Sequence, residues 1–227
     1  MSIEVNVPGW KGMLDCAKAY RSDATIRIAD GKARIMEVDD TKTNLFYTEV
    51  ECQGEGVLSV DIEKFSKALT AAGRDPVIDI DEGFVTIEGS AKVKVPLISR
   101  ESNVNWPDKF KTPIAECDLS PSQIDPVLSY AQFCNQAIVR FTLGDTRMKV
   151  QVGVEPDMAE FTSLSTATGE SDAVFSMGLI QTIVKLAKGT DAINVGGFGK
   201  NVPMIFSWNV DNGICKVLVA PYIDQDL

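Results

Sequence analysis

"ATIRIADGKARIMEV" (residues 24–38) and "AIVRFTLGDTRMKVQV" (residues 137–152) decide the fold. Each alternates apolar and polar residues on both sides of a turn, the period-2 pattern of two half-buried strands. In the first, Asp30-Gly31 is the two-residue turn of a tight hairpin. Ala24 and Ala137 open the matching strands 113 residues apart (137 − 24), almost half of the 227-residue chain. The surroundings match too. "VNVPGWKGMLDCAKAY" precedes the first hairpin and "LSPSQIDPVLSYAQFC" the second, and "IEKFSKALTAAGRDPVIDI" is echoed later by "MGLIQTIVKLAKGTDAINV". The same order of patterns occurs twice, so the chain reads as two copies of one unit.

Each unit reads as helix, hairpin, strand, helix and a meander of strands. Val7, Trp10, Leu14 and Ala17 form the apolar stripe of the first helix. "LFYTEVEC" (45–52) is a strand by its aromatic and β-branched content. A helix over 61–73 follows, with Ile62, Phe65, Leu69 and Ala72 on one side, and then strands at 77–81, 84–88 and 91–98. In the second unit the first helix starts either at Pro121 behind Ser120 or at Pro126 behind Asp125, both being cap-then-proline pairs, and the reading favours 121. Strands are expected at 137–143, 147–153, 158–164, 191–195, 203–210 and 214–219, and a helix at 177–188. The polar "SRESNVNWPDKFKTP" between the copies reads as a linker. The expected division is therefore 1–98, a connector at 99–113, and 114–227. Amphipathic helices over antiparallel sheet make the fold class α+β.

Composition narrows the function. Hydrophobic and charged contents of 44% and 24% are those of a globular protein. The start of the chain lacks the basic-then-apolar pattern of a signal peptide, so an intracellular soluble protein is expected. There is no histidine, which removes Ser-His-Asp and Cys-His nucleophiles and every His-ligated metal. Five scattered cysteines without a C-x-x-C pair favour neither a zinc site nor a disulfide framework. No metal, cofactor or catalytic residue is expected.

Charge is segregated. The net charge is -10, yet the helix in "VDIEKFSKALTAAGR" (60–74) sets Lys64, Lys67 and Arg74 opposite its apolar stripe. Lys11 and Lys18 share one side of the first helix, with Arg21 just beyond, and the fourth helix adds Lys185 and Lys188. Acids concentrate elsewhere, in "DIDE" (79–82) and "EPDMAE" (155–160). Cations in repeated positions create a local positive field that suits a polyanion held through its phosphates, without base reading.

Order and spacing together resemble the PCNA-type DNA polymerase sliding clamps of archaea and eukaryotes over essentially the whole chain. The stretches that carry the likeness are "SVDIEKFSKALTAAG", "ATIRIADGKARIMEVDDTKTNLFYTEVEC" and "NVPMIFSWNVDNGICKVLVAPYIDQD" with its A-P-x-I-acidic tail. The resemblance implies a homotrimer closed head to tail into a ring of processivity-fold domains around duplex DNA, tethering polymerase. Helices would line the hole. Lys11, Lys18, Lys64, Lys67 and Lys185 would then face DNA, with Arg21, Arg74 and Lys188 added on charge and helix position alone. Subunits would join through the strand bearing Lys92 and Lys94 and the one bearing Asp157 and Glu160. Short peptides of clients (polymerase, clamp loader, repair proteins) would enter an apolar site at Val38, Leu45, Pro203, Leu218, Ala220, Pro221, Tyr222 and Ile223, with Trp106 and Phe110 as walls. The implied location is cytoplasmic and nucleoid-associated in an archaeon, nuclear in a eukaryote. One helix departs from the pattern: "SPSQIDPVLSYAQFC" has no cation and adds Asp125.

Three other readings compete. "NVGGFGKN" (194–201) falls short of a P-loop, with Asn at both the first and last positions, and reads as hairpin glycines. A carboxylate enzyme built on "DIDEG" or "EPDMAE" lacks a paired acid with an orienting group. The alternative to a homotrimer is a checkpoint-type or heterotrimeric subunit acting mainly as a protein scaffold.

Overall fold

A computed structural model describes residues 2–100, 102, 104–144, 146–153 and 158–222. The first half runs β1 (Ser2–Glu4), α1 (Val7–Lys18), β2 (Asp23–Ala29), β3 (Lys32–Val38), β4 (Asn44–Glu51), β5 (Gly56–Asp61), α2 (Ile62–Ala72), β6 (Val77–Asp81), β7 (Phe84–Glu88) and β8 (Lys92–Pro96). A 3-10 turn at Asp108–Phe110 separates it from the second half. That half repeats the order: β9 (Ala115–Leu119), α3 (Pro121–Phe133), β10 (Ile138–Leu143), β11 (Met148–Val152), β12 (Ala159–Thr162), β13 (Ser171–Ser176), α4 (Met177–Leu186), β14 (Ile193–Gly197), β15 (Met204–Val210) and β16 (Gly213–Val219).

Strand neighbours repeat as well. The first half has the orders β1-β6-β7-β8 and β5-β2-β3-β4, and the second has β9-β14-β15-β16 and β13-β10-β11-β12. The ladder registers give a repeat spacing close to that read from the two alanines. Asp23 pairs with Asp61 and Ile138 with Ser176, so the two strands of this ladder are displaced by 115 residues on average (138 − 23 and 176 − 61). Four strands had no counterpart in the sequence reading: β1, β5, β9 and β13.

Contacts divide the chain into Met1–Asn105 with Asn209–Cys215, and Trp106–Trp208 with Lys216–Leu227. The boundary between these units falls inside the connector expected at 99–113. Arg100 donates to Asp23 and to Glu37, whose side chain is only 2% exposed, and Ser102 donates to the Met36 carbonyl. These bonds tie Arg100 and Ser102 to the first unit. The 209–215 piece runs along β4, with the Glu51 amide donating to the Asn212 carbonyl.

Local chemistry explains the elements. Asp30 (φ 56°) and Gly31 (φ 75°) both take the left-handed conformation that a two-residue hairpin turn requires. Asp61 caps α2 by accepting from the Lys64 amide, and Gly73 (φ 87°) ends it. Ile62, Phe65, Ala68, Leu69 and Ala72 are buried, against β5, β7 and β8. In the second unit α3 does begin at Pro121, and Pro126 lies inside it. Pro126 has no N–H to return to the Ser122 carbonyl, a loss water can make good because Ser122 is exposed. Gly9 admits a close approach: a Cβ there would lie 2.6 Å from the Asp211 carbonyl oxygen, so α1 sits directly on the 209–215 piece. The second unit's core centres on Phe141, Phe175 and Phe206, in mutual edge contact at 5.4 to 5.9 Å between centroids.

Candidate nucleic-acid interface

The apolar stripe of α2 faces the sheet, so Lys64 and Lys67 face solvent, with 68% and 76% of their side chains exposed. Each has an acidic neighbour. Lys64 lies 3.7 Å from the cap Asp61, and Lys67 2.7 Å from Glu63. Glu63 also reaches Lys18 of α1 at 3.7 Å. One carboxylate therefore bridges the cation rows of both helices and places them on one continuous surface of the first unit. The Lys67 hydrogen bond and the Lys18 charge hold Glu63 below its ordinary pKa. Lys11 is half-buried, Lys18 and Arg74 are exposed, and Arg74 lies beyond the end of α2.

Arg21 is placed differently from its expected role. Its guanidinium contacts Asp40 at 3.0 Å and Asp23 at 3.4 Å and donates to the Val38 carbonyl. Two carboxylates and partial burial occupy it where β2 begins and β3 ends.

In the second unit the seam between helices is neutral. Gln181 of α4 donates to Gln132 and to the Leu128 carbonyl of α3, where the first unit has its Lys-Glu-Lys bridge. Lys185 lies in the last turn of α4, which ends at Leu186 rather than 188, and Lys188 lies beyond it; both are exposed and form no ion pair among the described residues. The outer side of α3 carries Asp125, Tyr130 and Phe133, the last 84% exposed. Sequence reasoning missed Glu63, Gln132, Tyr130 and Phe133 as members of these surfaces. Only Glu63 had a readable signal, its i,i+4 spacing to Lys67.

The strands expected at a subunit boundary are both at sheet edges. β8 ends one sheet of the first unit and β12 one sheet of the second. Lys92 is paired with Glu88 at 2.6 Å, and Glu160 is held by Lys149 at 3.3 Å and by Gln151 at 2.9 Å. Lys94 is exposed, and Asp157 lies outside the described residues. Beside β12, exposed Met158 and Leu164 add apolar surface that the charge pattern did not disclose.

Of the residues expected to take a client peptide, Val38 and Leu45 face each other in the β3–β4 ladder of the first unit. Leu45 is buried. Trp106, Phe110, Pro203, Leu218, Ala220, Pro221 and Tyr222 belong to the second unit, and Ile223 lies outside the described residues. Leu218 is buried and Tyr222 exposed, its amide donating to the Val174 carbonyl. Trp106 donates to the Phe110 carbonyl, and the Phe110 ring meets Phe198 edge-on.

The doubled β-α-β-β-β-β-α-β-β-β unit is a fold found among solved sliding-clamp structures. Among solved structures, the chain is similar to Archaeoglobus fulgidus PCNA, solved with the C-terminal region of FEN-1, at 15% identity and TM-score 0.84 over 99% of both chains. PCNA of Thermococcus kodakaraensis matches at 13% identity and TM-score 0.80, over 97% of this chain and 99% of that one. A subunit of the Sulfolobus tokodaii PCNA2-PCNA3 complex matches at 13% and 0.78, with the same coverage. No described protein family and no curated protein matches the chain by sequence. The chain has the PCNA fold with little of the sequence of these structures.

Proposed function

We propose that this chain is a subunit of a ring-shaped, non-catalytic clamp that encircles duplex DNA and tethers replication and repair proteins. The observation that carries the reading is a matched pair of open edges. In the first unit the outer edge of β4 is covered by the 209–215 piece, which includes the start of β16. The repeat counterparts of β4 and β16 are β12 and β8, and neither has a strand on its outer side among the described residues. Pairing β12 of one copy with β8 of the next would repeat between chains what β4 and the 209–215 piece do within the first unit. Such a head-to-tail contact closes into a ring when the rotation from one copy to the next divides a full turn. The cation rows of α1, α2 and α4 suit the phosphates of a duplex in the ring, and non-specific contacts of this kind permit sliding. The client-peptide residues and homotrimeric assembly belong to the same proposal.

Light scattering at micromolar concentration and ordinary salt tests assembly, with a homotrimer expected; a monodisperse monomer rejects it. Changing Lys64, Lys67 and Lys185 to Glu should weaken retention on circular duplex DNA. The salt slope should flatten by at most about 2.7, three phosphate contacts at ~0.9 each. Unchanged retention would count against the lining role.

The cation-free face of α3, with Asp125, Tyr130 and Phe133 outward, favours a second reading in which the chain is one subunit of a mixed ring. Analytical ultracentrifugation of the pure chain separates the two, because only the first gives a closed homotrimer without another polypeptide.

A further inference from the structure

Cys16 of α1 and Cys215 of β16 lie 199 positions apart in sequence, yet their sulfurs are 2.7 Å apart. Two non-bonded sulfurs normally stay well beyond that, and a disulfide bond measures about 2.05 Å. Both are buried, at 5% and 1% exposure, and the Thr48 hydroxyl lies 3.0 Å from the Cys215 sulfur. The two cysteines sit on the two separate pieces that compose the first unit, Met1–Asn105 and Asn209–Cys215. Among the described residues no other cysteine has a sulfur neighbour: Cys117 contacts Ser163 and Ser165, and Cys52 the carbonyls of Glu4 and Gln53.

We propose that Cys16 and Cys215 are a disulfide site, closed by a hydroperoxide such as hydrogen peroxide, that staples the distant 209–215 piece to α1. The Cys16 thiolate attacks one peroxide oxygen, the O–O bond breaks, and the departing hydroxide takes up the thiol proton as water. The resulting Cys16 sulfenic acid is attacked by Cys215 sulfur. The S–S bond forms, the S–O bond breaks, and the hydroxyl leaves as a second water with the Cys215 proton. Two thiols are oxidised and one peroxide is reduced. Hydrogen bonding to Cys215 and burial push the Cys16 thiol well up, so the first step is slow. The second is fast, because its partner is already in contact.

The test treats the full chain with hydrogen peroxide, blocks remaining thiols with N-ethylmaleimide, and maps tryptic peptides without reduction. The expected result is one linked pair containing Cys16 and Cys215, cleaved by dithiothreitol, with three cysteines still alkylated of the five present. The oxidised protein should melt about 5 °C or more above the reduced one, because the cross-link restricts a very long loop of the unfolded chain. Cys215→Ser should abolish both the link and the shift. Linkage through another cysteine, sulfinic acid at Cys16 without a link, or an unchanged or lowered melting midpoint would each overturn the proposal. The wild-type peptide map decides the linkage even if the variant folds poorly.

Discussion

Arg100 shows how much one side chain in the stretch expected to be a linker contributes. It contacts Asp23 at 2.5 Å and the nearly enclosed Glu37 at 2.7 Å. Removing it leaves a carboxylate buried without its cation, the costly half of a broken ion pair. Arg100→Met should lower unfolding free energy by about 3 kcal/mol in urea titration, the low end of the buried-pair range, because Arg100 is itself 24% exposed. A pH signature accompanies it. Burial pushes Asp23 up, but the Arg100 hydrogen bond and charge, with Arg21, outweigh it and hold the carboxyl below its ordinary 3.8. A depressed acid contributes stability above the unfolded value and loses it as pH falls through the folded one. Wild type should therefore lose stability below about pH 4 more steeply than Arg100→Met. Equal slopes would remove Asp23 from the account. Nothing in the sequence marked Arg100, since its partners come from β2 and β3.

At the scale of elements, the four helices and both hairpins were legible because 3.6-residue and 2-residue periods survive in a single sequence. Ile62, Phe65, Leu69 and Ala72 were assigned to the buried side of α2, and they lie there. The missed strands have a common physical cause. β1 is three residues long, and β9 alternates correctly but buries only Ala115, Cys117 and Leu119, two of them small. β5 and β13 lead straight into helices, so the helical period that follows masks their own. The basic surface of α1 and α2 also differs from a plain count of lysines, because Glu63 neutralises part of it. Glu63→Gln should release Lys18 and Lys67 and strengthen retention on circular duplex DNA, with a steeper salt dependence than wild type. Weaker retention in that variant would mean that Glu63 holds the lysines in place rather than competing with DNA.

For the molecule as a whole, the main surprise is that the first unit is incomplete within its own half of the sequence. Asn209–Cys215 covers the edge of β4 and receives α1 at Gly9. A fragment ending at Asn105 should lack cooperative thermal unfolding and aggregate through the exposed β4 edge, by circular dichroism and light scattering. Cooperative unfolding of that fragment near the full-length midpoint would show the distant piece to be dispensable. By itself the sequence determined the repeated α+β unit, the sides of the helices that are buried, and the concentration of cations on the opposite sides. These are local consequences of side-chain period. Only the tertiary structure decided the registers of the strand ladders, the division of the chain into interleaved units, the Glu63 bridge, the Arg100 network and the Cys16–Cys215 contact. Each of these joins residues far apart in sequence, and no local pattern records which distant strand a given residue will meet.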